Sequence, residues 1–330
     1  MAYQTGTATD YADLLAKLRT FLTTNVALSA AGQLWQVIAG VASGTPAKND
    51  YVSFRGPGLS GDDDVFVSIR LRATPTNNYY NWELYGHTSY NPSLPGVDQP
   101  GNHPAPVSVL LTNSSIVYWF FATGRGFRVV TRISGRYDAA YAGLILPDHT
   151  PLDWSLPLFI AGSSYRVTDG GAADDTWAHT NFWQPNIATN IPGSIGTAYL
   201  LNPGGVWRAV RNNTGTAVSV ESSSDNGPIV SPSHARLWPR NVRRDLDGSA
   251  WIHRLNLCQI GAGDGVNSGG AVEYGAPDGG NWYGSLDGVF YTAAFGASAE
   301  EVVSIGGVDY LLIPNIARTG DGMFAAFAME

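Results

Sequence analysis

One cysteine in 330 residues rules out an intrachain disulfide and any cage of several thiolates around zinc. That residue, Cys258, lies in the apolar run 252–258, where a small, inert, buried thiol is expected. Charge is also scarce. Charged residues make up 14% of the chain, against roughly 25% in an ordinary soluble domain. Gly, Asn, Ser, Thr and aromatics take their place, so the surface is polar but weakly charged, like the charge-depleted centre of a subunit interface. The formal net charge of −8 argues against a nucleic-acid partner, which would need a basic stripe along its phosphates. The best basic cluster is Arg236, Arg240, Arg243, Arg244 and Arg254. It stands among Asp245, Asp247 and aromatics and reads as ion pairs at an interface. Long apolar runs are missing too. The longest, 116–122, is far short of the ~20 residues that cross a bilayer as a helix, so no membrane insertion is expected. Met1-Ala2-Tyr3-Gln4 has neither the charged nor the apolar region of a signal peptide. Synthesis and folding in a cytoplasm are expected.

Catalytic signatures are equally sparse. The chain carries no Gly-x-Ser-x-Gly elbow, no phosphate loop ending in Lys-Ser or Lys-Thr, and no His-Glu-x-x-His,. Gly261-Ala262-Gly263-Asp264-Gly265 has the wrong spacing for a dinucleotide loop, and no strand–helix unit follows it. The six histidines (His87, His103, His149, His179, His234, His253) show no metal-ligand spacing. Two acid–histidine groups exist, Asp148-His149 with Asp153 and Asp174-Asp175 with His179. Both lie in turn-like sequence, where Asp commonly bonds its own backbone. Glycoside hydrolysis needs two facing carboxylates. Glu83, Asp174, Asp175 and Asp287 are present, but nothing in the sequence pairs them. Asp278-Gly279-Gly280-Asn281-Trp282-Tyr283 approaches an aspartate-box turn yet falls one residue short. No catalytic, cofactor-binding or metal-ligating residue is therefore assigned, and no enzymatic activity is expected.

What is present is a helix followed by strands. Asp10 can cap a helix, with Asp13 three residues on,. Tyr11, Leu14, Leu15, Leu18, Phe21 and Leu22 then recur on one face, with Lys17, Arg19 and Thr20 opposite and Thr23-Thr24-Asn25 as the stop,. Val65, Val67, Ile69 and Leu71 alternate with Phe66, Ser68, Arg70 and Arg72, and Tyr80, Trp82 and Leu84 with Asn81, Glu83 and Tyr85. This is the period of a half-buried strand. Residues 116–121 and 127–133 read as a hairpin around Thr123-Gly124-Arg125-Gly126. Residues 289–291, 302–305, 308–313 and 323–327 complete the strands, with Gly306-Gly307 as a primed two-residue turn,. The fold class is mainly β: antiparallel sheets, sandwich- or barrel-like, with one N-terminal amphipathic helix and long polar loops. Three parts are expected: a helix plus β domain over 1–165, a loop-rich β insertion or second domain over 166–285, and a C-terminal hairpin segment over 286–330. In the middle part Trp177, Phe182, Trp183, Trp207 and Trp238 stand in polar surroundings. Loops of that length are usually functional, so these aromatics are expected to face a partner.

Several segments resemble a family of tailed-bacteriophage virion proteins. They are Tyr3-Gln4-Thr5-Gly6-Thr7-Ala8-Thr9-Asp10-Tyr11 running into Leu14-Leu15-Ala16-Lys17-Leu18-Arg19-Thr20-Phe21-Leu22, then Tyr79-Tyr80-Asn81-Trp82, and the stretch from Ile116 through Trp119 to Arg125. Leu286-Asp287-Gly288-Val289-Phe290-Tyr291, Ala299-Glu300-Glu301, Gly306-Gly307-Val308-Asp309-Tyr310-Leu311, Asn315 and Arg318-Thr319-Gly320 continue it. All lie outside 167–280. The resemblance implies a structural component of the virion, in the tail or baseplate, present in several copies and made in the host cytoplasm. Its implied partners are other virion proteins and further copies of itself, and it implies no catalytic residues and no cofactor. Two readings from other classes stand beside it, both prompted by ten Trp and sixteen Tyr: a host-glycan-binding receptor module, and a polysaccharide-degrading glycosidase.

Overall fold

The computed structural model describes residues 1–58, 61, 63–75, 79–103, 105–147, 154, 156–164, 181–183, 198–210, 229–231, 252–259, 281–293, 297–314 and 323–329. Their architecture is mainly β, with three antiparallel sheets and helix only near the N-terminus.

The helix forms where its spacing predicts. α1 spans Tyr11–Thr24, and Asp10 caps it by accepting from the amides of Ala12 and Asp13 at 2.8 Å each. Asp13 reaches back to the Thr9 amide, at 2.8 Å, so three amide donors are met at this end of the helix. Asn25 ends α1 in an extended conformation and caps a short second helix, α2 (Val26–Ala30). Asp10→Ala is expected to lower stability by about 1 kcal/mol, read as a fall in the urea midpoint at unchanged slope. One residue departs from the pattern. Arg19, expected on the polar face, is buried, and its guanidinium donates to the carbonyls of Val41 (2.8 Å) and Gly44 (2.6 Å). The loop after β2 (Gln36–Gly40) covers that side of the helix, so the long side chain is used as a tether.

One seven-stranded sheet is the middle layer, in the order β1 (Ala2–Ala8), β7 (Ile116–Thr123), β8 (Gly126–Ile133), β9 (Arg136–Leu144), β11 (Leu158–Ala161), β12 (Ala198–Leu201), β13 (Trp207–Ala209). Its inner strands are buried on both faces. In β7, Ile116, Tyr118, Phe120 and Ala122 enter one core, while Trp119 and Phe121 enter another. Leu158 and Ile160 oppose Phe159 and Ala161 in the same way, as do Tyr199 and Leu201 against Ala198 and Leu200. A strand sandwiched between two layers reads as a continuous apolar run, which is the physical origin of the 116–122 stretch.

The first core lies between this sheet, α1 and a five-stranded sheet of β2, β3 (Tyr51–Gly56), β4 (Val65–Thr74), β5 (Tyr79–His87) and β6 (Val107–Leu110). Phe21 of α1 meets Phe120 at 5.7 Å between ring centroids, and the Trp82 indole donates to the Tyr11 carbonyl. The second core lies against a C-terminal sheet ordered β14 (Ile229–Ser231), β15 (His253–Gln259), β16 (Asn281–Ala293), β19 (Met323–Ala328), β18 (Val308–Pro314), β17 (Val302–Ile305). The short β10 (Leu146–Pro147) also pairs with β16. Gly306 and Gly307, at φ 62° and 84°, make the tight turn joining β17 to β18, where both central residues need positive φ.

The sheets run across the boundaries expected at 165 and 285. β12 and β13 extend the sheet that begins with β1, and β16 passes through 285. Phe182 and Trp183, expected to face a partner, are fully buried in the second core, where they pack on Phe327. Trp207 is half-buried and donates to the Gly101 carbonyl at 2.6 Å. Phe182 and Trp183, lone aromatics in polar sequence, thus help close the second core. Trp177 and Trp238 lie outside the described residues, as do Arg236, Arg240, Arg243 and Arg244; Arg254 is exposed. Cys258 sits in β15, its side chain outside the described set. No described helix is long and apolar enough to cross a membrane.

Candidate functional site

Of the carboxylates that could serve a glycosidase, the structure describes Glu83 and Asp287. It does not bring them together. Glu83 lies on the outer face of the five-stranded sheet, whereas Asp287 pairs with Arg128 between the middle and C-terminal sheets. Each is also already engaged. Glu83 accepts from Arg70 (Nη2 at 2.5 Å, Nε at 2.7 Å) and from the Tyr85 hydroxyl (3.0 Å), with Arg72 Nε at 3.3 Å. Burial, and then the Glu83 charge, pushes the Tyr85 phenol far above its ordinary pKa. Asp174, Asp175 and His179, Asp148, His149 and Asp153, and the 278–280 turn lie outside the described residues. So does His234.

The same outer face holds the densest polar chemistry in the described chain. The alternation seen in the sequence places Ser68, Arg70 and Arg72 of β4 beside Asn81, Glu83, Tyr85 and His87 of β5. Such a face would ordinarily meet water. Here Ser68, Asn81, Glu83 and His87 are all buried, and residues 88–103, leading from β5 toward β6, fold back as a strap over Ser68 and His87. The strap is stapled internally by Gln99, whose amide nitrogen donates to the carbonyls of Asn91, Leu94 and Pro95 and whose oxygen accepts from the Asn91 amide. At Gly96 it lies so close that a Cβ would sit 2.2 Å from Tyr51 and 2.3 Å from Ser53, hence glycine.

Beneath the strap a Ser–His–Asn relay appears. Ser68 Oγ is 2.8 Å from His87 Nε2, and His87 Nδ1 bonds Asn102 Oδ1. Asn102 Nδ2 donates to the Val97 carbonyl at 2.5 Å, so its oxygen faces the ring and Nδ1 carries the proton. Nε2 and the Gly96 carbonyl then share the single Ser68 hydroxyl proton as acceptors. The partners resemble those of an acyl-transfer triad, but the hydroxyl does not stand free for attack. Ser68 is fully buried, and its Oγ is held by Ser53 Oγ at 2.6 Å and the Gly96 carbonyl at 2.5 Å. The relay ties strap to sheet. His103, at the strap's far end, is stacked between Tyr85 (6.1 Å) and Tyr199 (4.9 Å), with Nδ1 2.5 Å from the Ala105 carbonyl. Burial pushes both imidazoles down, His87 to about 4 and His103 to about 3, so both are neutral at pH 7.

Sequence reasoning treated His87 and His103 as scattered. Ser68 and His87 meet because Phe66 pairs with His87 and Ser68 with Tyr85, making them diagonal cross-strand neighbours. The alternation already placed Ser68, Glu83 and Tyr85 on one face, and extending it by two residues reaches His87. Nothing in the sequence placed Asn102 or His103 against them.

The described tryptophans Trp35, Trp82, Trp119, Trp154 and Trp183 are buried. Trp35, Trp82 and Trp154 give their indole N–H to the carbonyls of Thr123, Tyr11 and Leu201, as core anchors do. No protein-family model matches this chain, and no curated protein sequence matches it either.

Proposed function

We propose that the chain is a structural subunit of a tailed-phage virion, in the tail or baseplate, working through contacts with further copies of itself and with other virion proteins. The reading rests on the phage-like segments quoted above. The observation that carries it further is that several of those segments join one framework, directly or through neighbouring strands. The opening strand β1 pairs along its whole length with β7, and Phe121 of β7 stacks on Phe327 of β19 at 5.3 Å. Arg132 of β8 pairs with Glu300 at 2.5 Å, and Arg128 pairs with Asp287 at 2.9 Å. A charge-poor body of stacked sheets suits a repeating assembly unit. Edge strand β17 adds surface of the required kind, with Val302 and Ile305 48% and 37% exposed; an open edge with apolar side chains invites pairing.

Gradient-purified particles of the phage encoding the chain should contain it in several copies, seen by quantitative mass spectrometry and as density in a cryo-electron-microscopy map. Recovery only in the soluble lysate, with none in particles, would remove the proposal. Reducing sugar released from host polysaccharide by the pure chain would favour a glycosidase instead.

A further inference from the structure

The strap 88–103 is attached in an unusual way for a long loop. Few apolar side chains hold it down, and Leu94 is 39% exposed. Most of its attachments are polar: Ser68 to the Gly96 carbonyl, Trp207 to the Gly101 carbonyl, Tyr90 to the Ile38 carbonyl at 3.2 Å, beside one ring contact of Tyr90 on Phe66 at 6.2 Å. Two imidazoles sit where its ends meet the body. His87 contacts Ser68 of β4 and Asn102 of the strap, and His103 is wedged among Tyr85 of β5, Tyr199 of β12 and Trp207 of β13. Among the described residues no ion pair joins either ring to a carboxylate. Glu83, on the same face, is taken by Arg70 and Arg72, and the strap's Asp98 acts on Arg70. A charge on either ring would therefore be buried without a counter-ion, and the two rings repel each other when charged,.

We propose that the strap is an acid-released clasp: protonation of His87 and His103 lifts residues 88–103 from the five-stranded sheet and uncovers a face bearing Tyr51, Ser53, Ser68 and Tyr85. The sign follows from linkage. With the strap open the imidazoles regain an ordinary pKa near 6.5, while closed they protonate only at about 4 and about 3. Below pH 6.5 the open form binds more protons, so falling pH drives opening, and the effect levels off once the closed form also protonates. The stacked β framework has no such pair of imidazoles among its described residues and should stay closed over that range. The inference does not depend on the phage reading.

Amide hydrogen exchange on the full chain from pH 7.5 to 4, corrected for intrinsic rates, tests it. Two protons impose a slope of roughly a hundredfold per pH unit on the opening of 88–103 between about pH 6 and 4.5, with α1 and β7 not sharing it. His87→Gln or His103→Phe alone should reduce the slope to roughly tenfold per unit, and the pair should abolish it. Opening independent of pH, an unchanged slope in the double variant, or α1 and β7 opening in step with the strap would each overturn the clasp. Imidazole proton resonances of the wild-type chain supply a reading that needs no variant. If both rings titrate near 6.5 while the strap amides remain protected, the clasp is wrong. If they take up protons only as those amides lose protection, it stands.

Discussion

Asp287→Ala is expected to destabilise the protein by roughly 3–5 kcal/mol, the range for breaking a buried ion pair from one side. The cause is what remains. Arg128 is fully buried, with its guanidinium 2.9 Å from the Asp287 carboxylate and 5.0 Å above the Tyr141 ring. Burial works against the Arg128 charge, but Asp287 and then Tyr141 outweigh it and hold its pKa above the ordinary value. Tyr141 is part of the same arrangement, accepting from the Asp287 amide at 3.2 Å and donating to the Leu144 carbonyl at 2.8 Å. Removing Asp287 leaves a cation between two sheets with no counter-charge. Arg128→Met combined with Asp287→Leu should regain most of the loss, since an apolar pair of similar volume is often as stable as a buried ion pair. Urea unfolding of the two single variants and the double variant measures the coupling. A single variant within about 1 kcal/mol of wild type would mean that water reaches Arg128 and the pair is unimportant.

The second large effect is expected at the other core. Leu18→Asp places a carboxylate where α1 meets the middle and five-stranded sheets, at a side chain with no solvent exposure. Neutralising or solvating that group requires the helix to leave, so a loss of about 4 kcal/mol or more is expected. Leu18→Met, nearly equal in volume, should stay within about 1.5 kcal/mol. Limited proteolysis provides the spatial reading. The Asp variant should be cut within the first 25 residues well before any other site, and Leu18→Met should resist. Wild-type protein cut there as fast as the Asp variant would show that the helix is not docked.

The first effect bears on function, since the sequence offers Asp287 as a carboxylate available for hydrolysis. In the fold it is a structural counter-ion. Glu83 has the same fate, clamped by two arginines and a tyrosine. Sequence alone cannot distinguish a reactive carboxylate from a neutralised one. The difference lies in partners brought by strand register: Arg70 stands directly opposite Glu83, whereas Arg128 is remote in the chain from Asp287.

Local order was largely legible in the sequence because it follows from short-range rules. Side-chain periodicity and the Asp10 cap specified α1; alternation specified β4 and β5, and turn chemistry the hairpins at 124–125 and 306–307. Those same rules set the antiparallel, mainly β character. Tertiary structure decided what each face meets. Period two says that a strand has two faces, not whether the second meets water, another sheet or a strap. For β7 it meets a second core, for β5 it meets residues 88–103, and Arg19 and Trp183 are buried by segments far off in sequence or across the sheets. Burial, and with it the charge state of His87 and His103 and the pairing of Glu83 and Asp287, is a property of layers packing together. No local pattern carries it.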